Sequence, residues 1–298
     1  MLTGVHVLLT MKCTNECEHC FLHCGPGRDG TFTIGQLRTL ISQTKDLGTV
    51  TSLYFEGGEP FLFYPLLLEG LRMARAAGFD GGIVTNGYWA TSVEDALHWL
   101  RPISELGLAD FSVSDDDFHR LDKNDRRADF ARQAAQQLGL PTGTICIEPP
   151  SVSRQSDEGQ RGRPVVGGSV LFKGRAAEKL TAGLPVRPAE ELTTCPHEDL
   201  LSPERVHVDA YGNVHLCQGL SIGNIWEKPL PDLIRVYDAQ KHPIAGPLIR
   251  GGPIRLVTEY GLKMSGGYVD ECHFCYIARK SLLLRFPQYL APKESYGL

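Results

Sequence analysis

Short extended runs alternate with helical patterns through the first 180 residues of the 298-residue chain, and this alternation constrains the fold most. A helix between two strands allows the second strand to lie parallel to the first, through a right-handed crossover. We therefore expect an α/β fold with a parallel sheet, either a partial barrel or an open doubly wound sheet. Six strands are predicted, at residues 5–10, 52–56, 82–86, 110–114, 144–148 and 169–172.

Helices are predicted from capping residues and from apolar periodicity. Thr33 and Gln36 form the pattern of a capping box, so a helix should begin there and end near Gly48. Ser92, followed by Asp95 three residues later, opens another helix. Further helices are expected at about 66–77 and 125–138. Because ligands of parallel sheets bind at the carboxyl ends of the strands, we expect the functional residues there.

The pattern changes after residue 180. A linker precedes residues 206–217, which predict a β-hairpin that turns near Gly212 and Asn213. We therefore expect two domains: a core over residues 1–184 and a smaller α+β domain over residues 185–298.

Composition argues against several classes of protein. The net charge is −5 and the basic residues are scattered, so the chain lacks a basic stripe for nucleic acid. No apolar stretch approaches the roughly 20 residues that cross a membrane, and the N-terminus lacks the features of a signal peptide. We expect a cytoplasmic protein with a peptide or a small molecule as partner. Its nine cysteines cluster towards both ends of the chain, which favours metal ligands over disulfides.

Four cysteines lie within twelve positions directly after the first predicted strand. Cys13, Cys17 and Cys20 have the spacing C-x3-C-x2-C. Three thiolates from one loop can hold three irons of a [4Fe-4S] cluster, and the fourth iron then stays open to another ligand. The alternative is a structural zinc site, for which Cys24 would be the fourth ligand.

This cysteine motif resembles that of the radical SAM superfamily, whose members carry it after the first strand of a (β/α)6 partial barrel. Two more motifs support the resemblance. "GGEP" ends the second predicted strand, like the family segment that binds the amino group of S-adenosylmethionine, and "TNG" ends the third. The residue before the last motif cysteine usually contacts adenine. The resemblance implies that S-adenosylmethionine contacts His19, Phe21, Gly57, Gly58, Glu59, Pro60, Thr85, Asn86, Ser112 and Ser114.

The resemblance also implies the chemistry. S-adenosylmethionine would bind the open iron, so Cys24 is not a fourth ligand and is expected to be a buried thiol. One electron from the reduced cluster would cleave the sulfonium C–S bond, and the 5′-deoxyadenosyl radical would take a hydrogen atom from the substrate. An external electron donor such as a flavodoxin or a ferredoxin is implied.

A second set of cysteines lies in the predicted smaller domain, and read alone it is compatible with zinc. Beside a radical SAM core, the region resembles the auxiliary-cluster domain called SPASM and its shortened form, twitch. Because no cysteine follows the final pair, the resemblance is to twitch, with one auxiliary [4Fe-4S] cluster. Full ligation by cysteine favours a role as electron acceptor, and therefore net oxidation of the substrate. The four predicted ligands are Cys195, Cys217, Cys272 and Cys275.

Residues near the ends of the fourth and fifth predicted strands are candidates for the substrate chemistry. Period-2 alternation places Thr144, Cys146 and Glu148 towards the barrel lumen, and the intervening isoleucines towards the helices. Cys146 could return a hydrogen atom to a substrate radical or be a buried structural thiol. Glu148 or Asp116 could be a general base; the alternatives are a solvated acidic loop and a contact with a ribose hydroxyl. Arg175 could bind a carboxylate or a phosphate, or form a surface salt bridge.

The sequence therefore predicts a radical SAM oxidoreductase. The preferred substrate is a ribosomally made peptide that is oxidised or cross-linked. The alternative is a small molecule such as an amino sugar, which would be dehydrogenated or epimerised. The chain begins almost at the first strand, so we expect no N-terminal peptide-recognition domain, although a separate protein can supply recognition. The non-enzyme alternative is a zinc-stabilised binding protein.

Overall fold

The computed structural model describes residues 1–154 and 164–298. Eight of its strands form one sheet, and two form a separate antiparallel hairpin. The strands are β1 (Gly4–Thr10), β2 (Ser52–Gly57), β3 (Asp80–Thr85), β4 (Asp110–Ser114), β5 (Thr142–Ile145), β6 (Ser151–Arg154), β7 (Pro164–Gly167), β8 (Arg205–Asp209), β9 (Asn213–Cys217) and β10 (Leu220–Asn224). The order in the large sheet is β10-β9-β8-β1-β2-β3-β4-β5, and β1 to β5 are parallel neighbours, as the alternation predicts.

The helices that follow the first strands begin where the sequence predicts. The Thr33 side chain accepts a hydrogen bond from the Gln36 backbone, and the Gln36 side chain accepts one from the Thr33 backbone, which completes the capping box. Ser92 caps another helix by accepting from the Asp95 backbone. The helices are α1 (Ile34–Leu47), α2 (Tyr64–Ala77), α3 (Val93–Ser104), α4 (Arg127–Gln137), α5 (Arg175–Lys179), α6 (Leu230–Val236), α7 (Ala245–Tyr260) and α8 (Glu271–Ser281). Within the described ranges, none of them is both long enough and apolar enough to cross a lipid bilayer.

The two faces of the parallel sheet differ in chemistry. Val7, Phe55 and Phe111 are fully buried in the main hydrophobic core, together with Leu37 of α1 and Leu67 of α2. Each side chain of this kind contributes roughly 1.5–3 kcal/mol when it leaves water. The opposite face, which we call the lumen face, carries Leu8, Glu56, Val84, Ser114 and Ile145 and borders a cavity. Parallel strands with helices on one face and a cavity on the other match the expected partial barrel.

The C-terminal region extends the same sheet. The predicted hairpin is present as the antiparallel pair β8 and β9. β8 also pairs with β1 in parallel, with His207 opposite His6, so the hairpin continues the sheet of the N-terminal region. The domain boundary near residue 185 stays a prediction.

The sixth predicted strand is wrong. Residues 169–172 contain no strand and instead form a small buried cluster in which Phe172 packs with Ala176 and Val269. The chain turns at Gly168, whose φ is 97°, and turns again where the Lys173 backbone N–H donates to the Leu171 carbonyl at 2.7 Å. These two turns leave too little extended backbone to pair with β5.

Candidate active site

The loop between β1 and α1 presents its cysteines to the cavity on the lumen face. Cys13, Cys17, Cys20 and Cys24 all line this open cavity, whose volume is about 1070 Å³. The loop is closed by hydrogen bonds from the Cys13 backbone to the Gly25 carbonyl at 3.1 Å and from the Cys20 backbone to the Cys17 carbonyl at 3.1 Å. The structure therefore brings the three motif cysteines together without the aid of secondary structure.

Arg175 fixes this loop. Its guanidinium donates to the carbonyl oxygens of Cys17 and Cys24, at 2.7 Å each, and its backbone N–H donates to the Cys20 carbonyl at 2.9 Å. Neither sequence-based role for Arg175 is present: two of its guanidinium nitrogens bind backbone carbonyls instead of an anion or a surface carboxylate.

Burial opposes charge on these thiols. Burial raises the pKa of Cys13 to about 12, and the nearby Glu59, Cys17 and Cys20 raise it further against a hydrogen bond from the Asn15 backbone. A hydrogen bond with the thiol of Cys24 lowers the pKa of Cys20 against the effect of burial. Several thiols that share a buried site ionise together only when a cation compensates them, and a metal centre supplies that charge.

Glu59 lies in the "GGEP" segment and is completely buried beside the loop. Its carboxylate accepts hydrogen bonds from the Thr85 hydroxyl at 2.7 Å, from the Phe61 backbone at 3.0 Å and from the Asn86 backbone at 2.7 Å. Burial nevertheless raises the pKa of Glu59 to about 7. Three hydrogen bonds thus fix this carboxylate behind Thr85 and Asn86, which line the cavity.

Backbone packing explains why the second residue of the "GGEP" segment, Gly58, is a glycine. A Cβ atom on Gly58 would lie only 2.1 Å from the carbonyl oxygen of Lys12, which directly precedes the first motif cysteine. Gly57 and Gly58 line the cavity, whereas Pro60 is buried at the start of a short 3-10 helix behind it. The close approach of the two backbones places the cysteine loop against the end of β2.

Asn86 connects the "TNG" segment to the cysteine loop. Its side-chain amide donates to the Thr14 hydroxyl at 3.0 Å and lies 3.6 Å from the Cys13 sulfur. Thr85, Asn86 and Ser114 line the cavity. Ser112 lies on the same face of β4, two residues before Ser114, and its hydroxyl donates to the Asp110 carboxylate at 2.9 Å.

His19 lies in an aromatic setting beside the loop. Its ring centroid lies 4.6 Å from that of Phe118 and 5.1 Å from that of His119. Burial lowers the pKa of His19 to about 4, so its ring is neutral, and its Nδ1 atom is buried without a partner. Phe21 also lines the cavity. A flat apolar surface next to an unpaired ring nitrogen fits an aromatic base such as adenine.

Asp116 braces this region instead of facing a substrate. It is 3% exposed, and its carboxylate accepts from the His119 ring at 2.8 Å and from the backbones of Phe118 at 3.0 Å and Ile147 at 3.1 Å. Burial opposes the charge, but hydrogen bonds to Asp116 and to the Cys17 sulfur raise the pKa of His119 to about 10. The predicted general base is thus already engaged by four hydrogen bonds, counting the His119 backbone N–H.

The predicted orientation of the fifth strand is wrong. Thr144, Cys146 and Glu148 are exposed, whereas Ile145 and Ile147 line the cavity. The reason is register: Ile145 pairs with Ser114, and parallel neighbours point to the same face, so Ile145 shares the lumen face with that serine. Cys146 therefore does not point into the lumen.

Sequence reasoning missed a polar group on the lumen face. Glu56 lines the cavity, and one of its carboxylate oxygens lies 3.1 Å from His6 Nδ1 and 3.2 Å from His207 Nε2. Although burial opposes the charge, these two histidines hold the pKa of Glu56 well below its usual range. The three ligand atoms lie within 4.8 Å of one another, close enough to share a metal ion. Period-2 alternation along β1 and β2 places His6 and Glu56 on the same face of the sheet, so the sequence could have predicted that these two side chains lie together.

The second set of cysteines lines a separate cavity of about 390 Å³. Cys217 ends β9, and Cys272 and Cys275 lie in the first turns of α8. Cys195 approaches them from the segment before β8, and burial raises its pKa to about 12. The structure thus gathers four thiols from three distant parts of the chain. Lys173 and Arg279, which the sequence did not suggest, line the same cavity.

Comparisons with known proteins give partial sequence matches and a similar fold. No protein-family model matches the chain. A segment of 115 residues is 24% identical to YydG of Bacillus subtilis, a protein named for peptide biosynthesis, and covers 39% of this chain and 36% of that one. A segment of 83 residues is 35% identical to the S-adenosylmethionine-dependent nucleotide dehydratase of Selenomonas ruminantium, and covers 28% of this chain and 29% of that one. The matched segments thus span about a third of the length of these curated relatives.

The fold has a match among solved structures. The crystal structure of BtrN in complex with AdoMet and 2-DOIA superposes with a TM-score of 0.51 and 18% identity, over 78% of this chain and 82% of BtrN. The similarity supports the parallel-sheet fold. In this fold the three cysteines of one loop lie at the carboxyl end of β1, where the sequence resembles the radical SAM superfamily.

Proposed function

We propose that this protein cleaves S-adenosylmethionine reductively and uses the product to remove a hydrogen atom from a substrate. The observation that carries the proposal is the meeting of Cys13, Cys17 and Cys20 in one cavity with Asn86, whose backbone N–H donates to the buried Glu59 carboxylate at 2.7 Å. The three thiols would hold a [4Fe-4S] cluster, which supplies the electron for this cleavage when it is bound. Cys24 would stay a thiol next to Cys20.

The surrounding residues would bind and orient S-adenosylmethionine. The carboxylate of Glu59, fixed by Thr85 and by two backbone N–H groups, would orient the ligand's amino group. The neutral ring of His19 would offer its unpaired Nδ1 to adenine. Leu8, Val84 and Ile145 would line the remaining space with apolar groups and exclude water from a reactive radical.

We further propose that Cys195, Cys217, Cys272 and Cys275 bind one auxiliary [4Fe-4S] cluster. Four thiols around one cavity leave no iron open, which supports electron transfer as its role and net oxidation as the reaction. Zinc in this cavity is the outcome that would exclude this role.

The proposed substrate is a peptide, and the proposed reaction is its oxidation or cross-linking. Similarity to YydG, which is named for peptide biosynthesis, supports this choice over a small molecule. The electron for cleavage would come from an external donor such as a flavodoxin or a ferredoxin.

Anaerobic reconstitution tests the proposal. The full-length protein should be brown and contain about eight irons, four for each cluster. With dithionite and S-adenosylmethionine it should form 5′-deoxyadenosine, and Cys17→Ala should abolish this product. Cys146→Ala is the matched control, because that cysteine is exposed and does not line either cavity, and it should retain the activity. Colourless protein with zinc and without 5′-deoxyadenosine would contradict the proposal.

A further inference from the structure

The cavity that gathers the second set of cysteines contains two buried cationic side chains. Lys173 is 3% exposed and Arg279 is 1% exposed, and both line the cavity together with all four thiols. Buried cations are rare without a partner, because removing a charge from water is costly unless an opposite charge lies nearby. The partners available to these two side chains therefore indicate what the cavity holds.

Within residues 1–154 and 164–298, Lys173 forms an ion pair with one carboxylate, that of Glu198, and this carboxylate is shared. Its ammonium lies 3.5 Å from Glu198 and 3.5 Å from the sulfur of Cys217. Glu198 also faces Arg205 at 3.7 Å, so one negative charge lies between two cations. The ammonium also lies over the ring of Phe21, 5.5 Å from the ring centre. Its positive charge is only partly compensated by the protein.

The positive charge of Arg279 is compensated even less than that of Lys173. Its guanidinium donates to the Gln218 carbonyl at 3.0 Å and lies 5.7 Å from the ring centre of Tyr296, while its Nε atom is buried without a partner. The groups that most strongly favour its positive charge are Tyr296 and the cavity cysteines Cys275, Cys217 and Cys272. The two carboxylates of the cavity are already engaged, Glu198 between Lys173 and Arg205 and Glu271 with Arg187 at 3.3 Å. Two cationic side chains therefore remain to face the four thiols.

Such a cavity favours an anionic occupant. Where the occupant has two redox states, the cavity favours the one with the more negative charge. A [4Fe-4S] core of charge 2+ with four thiolates has a net charge of 2−, and one added electron makes it 3−. We propose that Lys173 and Arg279 stabilise the reduced state of the auxiliary cluster, and so raise its reduction potential and fit it to accept an electron. The inference rests on the auxiliary cluster of the proposed function. In the proposed oxidation, the substrate radical gives one proton to solvent and one electron to the auxiliary cluster.

A redox titration of the full-length protein tests this role. Removing the first site with Cys13→Ala, Cys17→Ala and Cys20→Ala leaves one cluster, whose reduced state is followed by electron paramagnetic resonance during titration with dithionite. In this background, Lys173→Met keeps the length of the side chain but removes its charge. The ratio of reduced to oxidised cluster at a fixed potential should fall at least tenfold, which is 59 mV for one electron.

Three further variants show that charge, and not packing, causes the shift. Lys173→Arg keeps the charge and should retain a ratio within threefold of the parent. Lys280→Met is the matched control on α8, because Lys280 is half-exposed and pairs with Glu178 at 2.7 Å, away from the cavity, and it should leave the ratio unchanged. Glu198→Gln removes the carboxylate that offsets Lys173, so the ratio should rise.

Each outcome decides one claim. If about four irons bind and Lys173→Met titrates like its parent, the inference is wrong and the auxiliary cluster stands. If Lys173→Met cannot hold iron, the titration of Glu198→Gln tests the inference instead. A ratio of reduced to oxidised cluster in Glu198→Gln that is unchanged or lower overturns the inference. If the triple-cysteine background binds no iron, the auxiliary cluster of the proposed function fails, and the inference fails with it.

Discussion

Replacing Gly58 with alanine perturbs the contact that places the cysteine loop against β2. The added Cβ would lie 2.1 Å from the Lys12 carbonyl oxygen, whereas real Cβ atoms essentially never approach closer than 3.0 Å, so the two backbones must separate by about 0.9 Å. This shift strains two hydrogen bonds, from the Gly58 backbone to Thr10 at 2.6 Å and from the Glu59 backbone to Lys12 at 2.9 Å.

The expected cost follows from these contacts. Overpacking a rigid site costs about 1–3 kcal/mol. Each backbone hydrogen bond contributes roughly 1 kcal/mol. We therefore expect Gly58→Ala to lower the free energy of unfolding by about 3–5 kcal/mol, measured by urea denaturation of the full-length protein. Because Lys12 precedes Cys13, the first site should also lose its iron, which would halve the iron content.

Gly35→Ala is the matched control. Gly35 lies in the first turn of α1, and its added Cβ would meet only the Thr33 hydroxyl at 3.9 Å, an ordinary contact. Alanine in a helix should raise the free energy of unfolding by up to about 1 kcal/mol and leave the iron content unchanged. If Gly58→Ala unfolds within about 0.5 kcal/mol of the wild type and retains full iron, the close approach of the backbones is not what positions the loop.

Three further substitutions test other parts of the site. Asp116→Asn replaces an acceptor with a donor facing backbone N–H groups, so the free energy of unfolding should fall by about 2–4 kcal/mol, and an unchanged denaturation midpoint would refute the bracing role. Glu56→Gln should cost about 2 kcal/mol at pH 7. His207 and His6 hold the pKa of Glu56 well below its unfolded value of about 4.3, so this stabilisation is complete above that pH and declines steadily below it. The difference between the variant and the wild type should therefore shrink as the pH falls from about 5 to about 3 in urea titrations, and a difference that does not depend on pH would contradict this origin. Cys24→Ala should retain the full iron content by elemental analysis, whereas loss of the first cluster would make Cys24 a ligand.

Local signals predicted much of the parallel sheet. The capping box at Thr33 and Gln36 and the cap at Ser92 depend on residues three positions apart, so the sequence shows them directly. The hairpin of β8 and β9 has a turn that is equally local. The clustering of Cys13, Cys17 and Cys20 was predictable for the same reason, since one short loop carries all three.

Predictions that depended on exact register failed. Alternation shows that Cys146 and Ile147 lie on opposite faces, but only the pairing of β5 with β4 determines which face borders the lumen. The sixth strand failed because Gly168 and Lys173 turn the backbone on either side of an apolar run that otherwise resembles a buried strand.

Tertiary contacts over long distances in sequence left no local signal. His207 contacts Glu56 only because β8 pairs with β1, although residues 205–209 and 4–10 lie far apart in sequence. Lys173 and Arg279 likewise become neighbours of the second set of cysteines only when α8 packs beside the cavity. Sequence analysis places a lysine or an arginine on the surface by default, since most such residues are exposed.

The most direct test of the central claim is whether S-adenosylmethionine binds the cluster at the first site. Electron–nuclear double resonance on the reduced, full-length protein measures this with S-adenosylmethionine that carries ¹⁵N in its amino group and ¹⁷O in its carboxylate. The account predicts hyperfine coupling of both labels to the cluster, because three thiolates leave one iron open, and predicts that this coupling is lost in Cys13→Ala but retained in Cys24→Ala. The absence of coupling in the wild type, with iron present at the site, would contradict it.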